Sequence, residues 1–183
     1  MEESAKTTYV EVVEIKQVGE GMRVCVDFID SLQEEEGLYI GNTGHGYLKV
    51  LSENRQSEGY PPRPFRINCG GFHQYLYQEK ASQYLQEIKS GESLTVSSPQ
   101  GSRSISIGRV KIERRPFIRV TCQSDEGIIV SATLQSSTSV YVQEEEKGAV
   151  SVLDLKKRDR IAGRMDKPGR HLGKKIDEFI EER

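Results

Sequence analysis

The sequence predicts a mainly β protein (α+β by content), an antiparallel small barrel or sandwich with one or two short helices. Three observations carry this. From Leu94 onward apolar and polar residues alternate with period two in LTVSS, SISIGRVKIE, FIRVTCQ, IIVSATL and SVYVQ. Turn signals separate these runs at Pro99-Gln100-Gly101, Arg114-Arg115-Pro116, Asp125-Glu126-Gly127 and Glu144–Gly148. The N-terminal TTYVEVVEIK alternates in the same way, so β pattern occupies both ends of the chain.

Taken in order, TTYVEVVEIK reads as a first strand, VGEGM as a turn, and RVCVDFI as a second strand, a hairpin being the simplest join. The acidic run Glu34 to Glu36 reads as a solvated loop. GLYIG and YLKVLSE follow as strands on either side of the Asn42–Gly46 turn. QEKASQYLQEIKSGESLTV places Tyr84, Leu85 and Ile88 on one helical stripe ending at Ser90-Gly91, which predicts a helix of about two to three turns. In the tail, Leu172, Ile176, Phe179 and Ile180 fit an amphipathic helix, with a strand through Gly173 as the alternative. YLQEIKSGESLTV and SVLDLKKRDRIAG echo one another, through duplication of a β unit or through chance. The expected organisation is an N-terminal β region with a ligand loop (1–92) and a C-terminal barrel-like region with a terminal helix (93–183), or one continuous domain.

The chain has 183 residues, enough to bury a core in one domain or two small ones. Charged residues make up 30% but the net charge is only −2, which gives no bulk attraction for nucleic acid. No apolar run is long enough to span a membrane, and the first twenty residues lack a secretory signal's apolar stretch. Cys25, Cys69 and Cys122 form neither a CxxC motif nor a disulfide framework, and are expected as buried thiols. The expected setting is cytoplasmic.

The candidate ligand region is Gly37–Tyr75, which holds His45 and His73, Arg55, Arg63 and Arg66, Glu53 and Asn68, and seven of the seventeen glycines. Amides in the Asn42–Gly46 turn can form an anion nest, and a tight hairpin without ligand fits the same residues. Pro61, Pro62 and Pro64 stiffen the backbone that carries Arg63 and Arg66. Those guanidiniums suit a carboxylate or phosphate, or pair as surface groups with Glu53 or Glu58. His45, Glu53 and His73, with His171, could gather a metal only through folding, since no HxH or HExxH spacing exists. A histidine here can equally be an acid/base group or a structural hydrogen-bonding one. Lys111 alternates with apolar residues in GRVKIERRP, so it faces either a pocket or solvent.

RPFRINCGGFHQY, SQYLQEIKSGE, GRVKIERRP, LQSSTSV, VSVLDLKKRD and GRHLGKKIDEFIEE together resemble, in that order, the C-terminal half of the archaeal-type (type II) 3-dehydroquinate synthases. That family also contains relatives resembling 3-amino-4-hydroxybenzoate synthases. The resemblance implies conversion of 2-amino-3,7-dideoxy-heptulosonate to 3-dehydroquinate by NAD-dependent oxidative deamination and ring closure, in aromatic amino-acid biosynthesis. The alternatives are a cyclase of the aminohydroxybenzoate branch, using Mn²⁺ or Mg²⁺, and a non-catalytic binding or assembly domain. The implied ligand is a small amino-keto carboxylate. The implied catalytic residues are His73, Arg66 and Asn68; the implied substrate-binding residues are Arg63, Arg66, Lys111, Arg170 and His171; the candidate metal ligands are His45, Glu53 and His73. Family members are about twice as long, so a separate N-terminal-half subunit is the expected partner. No Rossmann fingerprint occurs, so NAD is implied by resemblance alone. Where the family commonly has His-Ser-Glu, this chain has Leu51-Ser52-Glu53.

Overall fold

The architecture grows from two very long strands. In the computed structural model, which describes residues 7–167 and 180–183, β1 runs unbroken over Thr8–Phe28 and β8 over Gly101–Gln123. The remaining strands are β2 (Gly37–Thr43), β3 (Gly46–Leu51), β4 (Arg66–Gly71), β5 (Tyr75–Leu76), β6 (Gln83–Tyr84), β7 (Ser93–Ser98), β9 (Ile129–Gln135), β10 (Tyr141–Glu144), β11 (Gly148–Ser151) and β12 (Arg160–Met165). All pairings are antiparallel. Hydrogen bonding runs β1–β8–β7–β2–β3–β12 and back to β1, a closed ring of six strands. Closure removes free edges from the ring. β4 adds to the C-terminal part of β1, and β9 to the C-terminal part of β8. The expected mainly β, barrel-like class is what the chain adopts.

Two expected breaks are absent. The VGEGM turn lies inside β1 and the Arg114-Arg115-Pro116 turn inside β8, and the two segments face each other, Glu20 opposite Pro116. Gly19 takes a left-handed φ of +92° at a shift in register. A bulge there absorbs the irregularity without reversing the chain. The helix expected before Gly91 is also absent. Leu85–Glu87 forms one 3-10 turn instead, and the Leu85 and Gln86 amides donate to the carbonyls of Gln74 and Phe72. Leu85 and Ile88 are buried, so the spacing read as a helical stripe reports tertiary docking. The tail-helix expectation over Leu172–Ile180 falls almost wholly outside the described residues.

The sequence echo is a structural repeat. Val152–Asp154 forms a second 3-10 turn equivalent to the first. Gly91 and Arg158 occupy matching left-handed positions, with φ of +90° and +80°. Their amides donate to Ile107 and Val12, both at 2.8 Å. The Lys89 and Lys156 amides donate to the carboxylates of Glu92 and Asp159. β7 then pairs with the start of β8, and β12 with the start of β1. Each half therefore closes onto the other's long strand, and the β2–β3 hairpin with its following loop belongs to one half alone. A single core, including Val12, Val26, Leu48, Val96, Ile107 and Val120, takes residues from both sides of position 92. All three cysteines are buried and unpaired.

Candidate functional site

Three strands bring charged residues to one face. Asp27 on β1 lies opposite Arg66 on β4 and Arg109 on β8; Cys25 lies opposite Asn68 and Lys111; Arg23 lies opposite Gly71 and Glu113. Because side chains alternate along a strand, these rows share one side of the sheet while Val24, Val26 and Ile67 enter the core. Arg66 grips Asp27 with Nε to Oδ1 at 2.8 Å and Nη2 to Oδ2 at 3.1 Å, and Arg109 Nε donates to the same Oδ2 at 2.8 Å. Burial alone would raise the Asp27 carboxyl, but the hydrogen bonds and charge of these two arginines outweigh it and hold it below the usual range.

The next row is joined through a glutamine. Gln135 Oε1 accepts from Arg23 Nη1 at 2.7 Å and from Asn68 Nδ2 at 2.8 Å. Glu113 accepts from Arg23 at 2.9 Å, faces Lys111 Nζ at 3.2 Å and is held by Arg115. The loop before β4 adds Glu53, whose Oε1 stands 2.8 Å from Arg63 Nε but without good hydrogen-bond alignment. Burial pushes the Glu53 carboxyl up, against the opposing charges of Arg63, Arg66 and Arg23. Cys25, in the middle, is pushed up to about 12 by burial and is a poor nucleophile. The face thus gathers Arg23, Arg63, Arg66, Arg109, Lys111 and Arg115 against Asp27, Glu53 and Glu113. On a chain of net charge −2, that local surplus of cations favours an anionic ligand. The β1 and β4 side is buried, and the β8 side, with Arg109 and Lys111, is open.

The expected residues are therefore divided. Arg63, Arg66, Asn68, Glu53 and Lys111 come together. His73 belongs to a different network, where Asn42 Oδ1 accepts from Thr133 Oγ1 and meets His73 Nε2, both at 2.8 Å. That arrangement makes Nε2 the protonated nitrogen, and burial lowers the His73 pKa. His45 lies in the glycine turn, with its carbonyl accepting from the Asp166 amide. Among the described residues no three His, Cys, Asp or Glu side chains form a metal-binding group, so the expected His45, Glu53 and His73 set is not assembled. Glu53 is directed to arginine and His73 to Asn42. In the glycine turn, the Gly44 amide donates to the Glu182 carboxylate at 2.6 Å, and Tyr75 OH donates to its other oxygen at 2.8 Å. Arg170 and His171 lie outside the described residues. Sequence reasoning missed Arg23, Asp27, Arg109, Glu113 and Gln135. The available signal was charge alternating with apolar residues in RVCVDFI and GRVKIE.

Comparison with known proteins decides what this domain is. The model of the 3-dehydroquinate synthase II C-terminal domain matches residues 9–183. The chain belongs to that family. It is 40% identical over 174 residues to a 3-dehydroquinate synthase of Methanospirillum hungatei, covering 94% of this chain and 53% of that protein. The 3-dehydroquinate synthase of Archaeoglobus fulgidus is 38% identical over 173 residues, with the same coverage of each chain. That of Methanopyrus kandleri is 34% identical over 179 residues, covering 95% of this chain and 44% of the relative. The chain thus spans about half the length of the curated 3-dehydroquinate synthases it matches. No solved structure matches it.

Proposed function

We propose that this domain forms one wall of a 3-dehydroquinate synthase II active site, acting on 2-amino-3,7-dideoxy-heptulosonate in concert with the portion of the full-length enzymes that the chain does not span. The observation that carries this reading is the cation-rich sheet face, buried on β1 and β4 and open along β8. Lys111, 47% exposed, is a charged group at the open side and would meet the substrate's carboxylate. Arg66 and Asn68 act as positioning residues: Arg66 commits its fork to Asp27, and Asn68 fixes Gln135. His73, donating from Nε2 and with its pKa lowered by desolvation, is the acid/base candidate on the adjoining Asn42 network.

The described residues do not by themselves fit the implied cofactors. They contain no metal-binding group of three ligands and no α-helix whose N-terminus could hold a dinucleotide pyrophosphate. NAD, and the Mn²⁺ or Mg²⁺ of the alternative branch, are accordingly assigned within this proposal to the remaining portion of the enzyme. The residues of this domain would bind and orient the carboxylate end of the substrate. With the complementary portion supplied in cis or in trans, NADH production from the amino-heptulosonate should be measurable. Lys111→Ala should raise KM roughly tenfold, with a smaller effect on kcat. An unchanged KM would remove Lys111 from substrate binding.

A further inference from the structure

Beside the Asp27 row lies an open cleft of about 480 Å³, bounded by Asp27, Ile29, Asp30, Pro64, Phe65 and Arg109. Its size lies in the range of small-molecule sites. Arg109 spends only Nε on Asp27; neither Nη atom has a partner among the described residues, and the side chain is 60% exposed. Asp27 also carries both contacts from Arg66, so two guanidiniums share one carboxylate and the row keeps a net positive charge. Asp27 therefore orients Arg109 without neutralising it.

The opposite charge stands in the same cleft. Asp30 is 65% exposed; its Oδ1 accepts from the Ser31 amide at 2.7 Å, and its Oδ2 is 3.5 Å from Arg103 Nη1. Arg103 directs Nε and Nη2 to Glu36 at 2.7 and 2.8 Å, so its hold on Asp30 is weak. Ile29, Pro64 and Phe65 supply apolar surface between the charged groups. An inorganic anion would use only Arg109. A molecule with a carboxylate, an adjacent ammonium and a short carbon chain would use every part of the cleft.

We propose that this cleft binds the α-amino carboxylate head of the substrate, with Arg109 joining Lys111, its neighbour on the same face of β8, at the carboxylate and Asp30 taking the ammonium. The assignment rests on the reading of the domain as a substrate-binding wall. It adds a recognition element for the amine that oxidative deamination removes, so the cleft distinguishes substrate from deaminated product.

Calorimetric titration of the chain with 2-amino-3,7-dideoxy-heptulosonate and with its analogue lacking the amine tests this. The wild type should prefer the amine-bearing ligand. Arg109→Gln should weaken both ligands roughly ten- to hundredfold, and Arg109→Lys, which keeps charge but not the fork, should fall between. Asp30→Asn should weaken only the amine-bearing ligand and erase the preference. Thermal unfolding of each variant separates a binding loss from misfolding. Wild-type affinity in both Arg109→Gln and Asp30→Asn, together with loss in Lys111→Ala, would overturn the cleft assignment while leaving the charged wall standing. Failure of the wild type to bind either ligand would overturn both.

Discussion

Lys49 shows what a single side chain can reveal. It sits in β3 between Leu48 and Val50, is 3% exposed, and makes no hydrogen bond or ion pair with any described residue. Burial lowers its pKa to about 8 against the opposing charges of Glu35 and Glu36. Between about 8 and the ordinary lysine value the unfolded chain binds more protons than the folded one. Stability should therefore rise with pH through that window and carry the full cost below it. Lys49→Met should stabilise the protein by about 1–3 kcal/mol at pH 7 and by much less at pH 10. Denaturant unfolding at the two pH values checks this; equal gains would show that the ammonium is not paying a burial cost. The sequence hinted at this residue, a lysine inside YLKVL, but period-two reading cannot say that both faces of a strand are covered. The same limit left the facing of Lys111 open. Its row partners Cys25 and Asn68 are 86 and 43 residues away in the chain, and pairing alone places the three side by side.

At the scale of elements, glycine shows the difference between local conformation and packing. Gly70 has φ +78°, and a Cβ there would collide with the Thr133 carbonyl oxygen; Gly19 has φ +92° with open space around it. Gly19→Ala should cost about 1 kcal/mol for the backbone alone, and Gly70→Ala about 3 kcal/mol or more. Thermal or denaturant melts compare the two, and equal costs would refute the packing argument. The matched 3-10 turns yield a prediction of opposite sign. Arg158 holds the left-handed position that glycine fills at Gly91, so Arg158→Gly should stabilise by about 1 kcal/mol. A loss of stability would mean that the arginine side chain outweighs its backbone strain. The repeat was legible because both copies keep the apolar, spacer, polar order through the turn. The continuity of β1 and β8 was not, because Gly19, Gly21 and Pro116 carry turn chemistry that long-range pairing overrides.

Across the molecule, two halves exchange strands around one barrel, and the charged face forms where the long strands meet β4. Ring closure depends on β12 reaching back to β1 and on β7 meeting β2, contacts that no local pattern encodes. The family motifs were visible in sequence, and the barrel class followed from alternation. The partition of the candidate site was not visible, because Arg66 and His73 are seven residues apart yet serve separate networks. The most direct test of the central claim is a backbone amide shift titration of the isotopically labelled chain with 2-amino-3,7-dideoxy-heptulosonate. Shifts concentrated at Asp27, Arg66–Asn68 and Arg109–Glu113, and moved to roughly tenfold higher ligand concentration by Lys111→Ala, are the expected result. Shifts confined to the Asn42–Gly46 turn around His45, with the charged face silent, would contradict it.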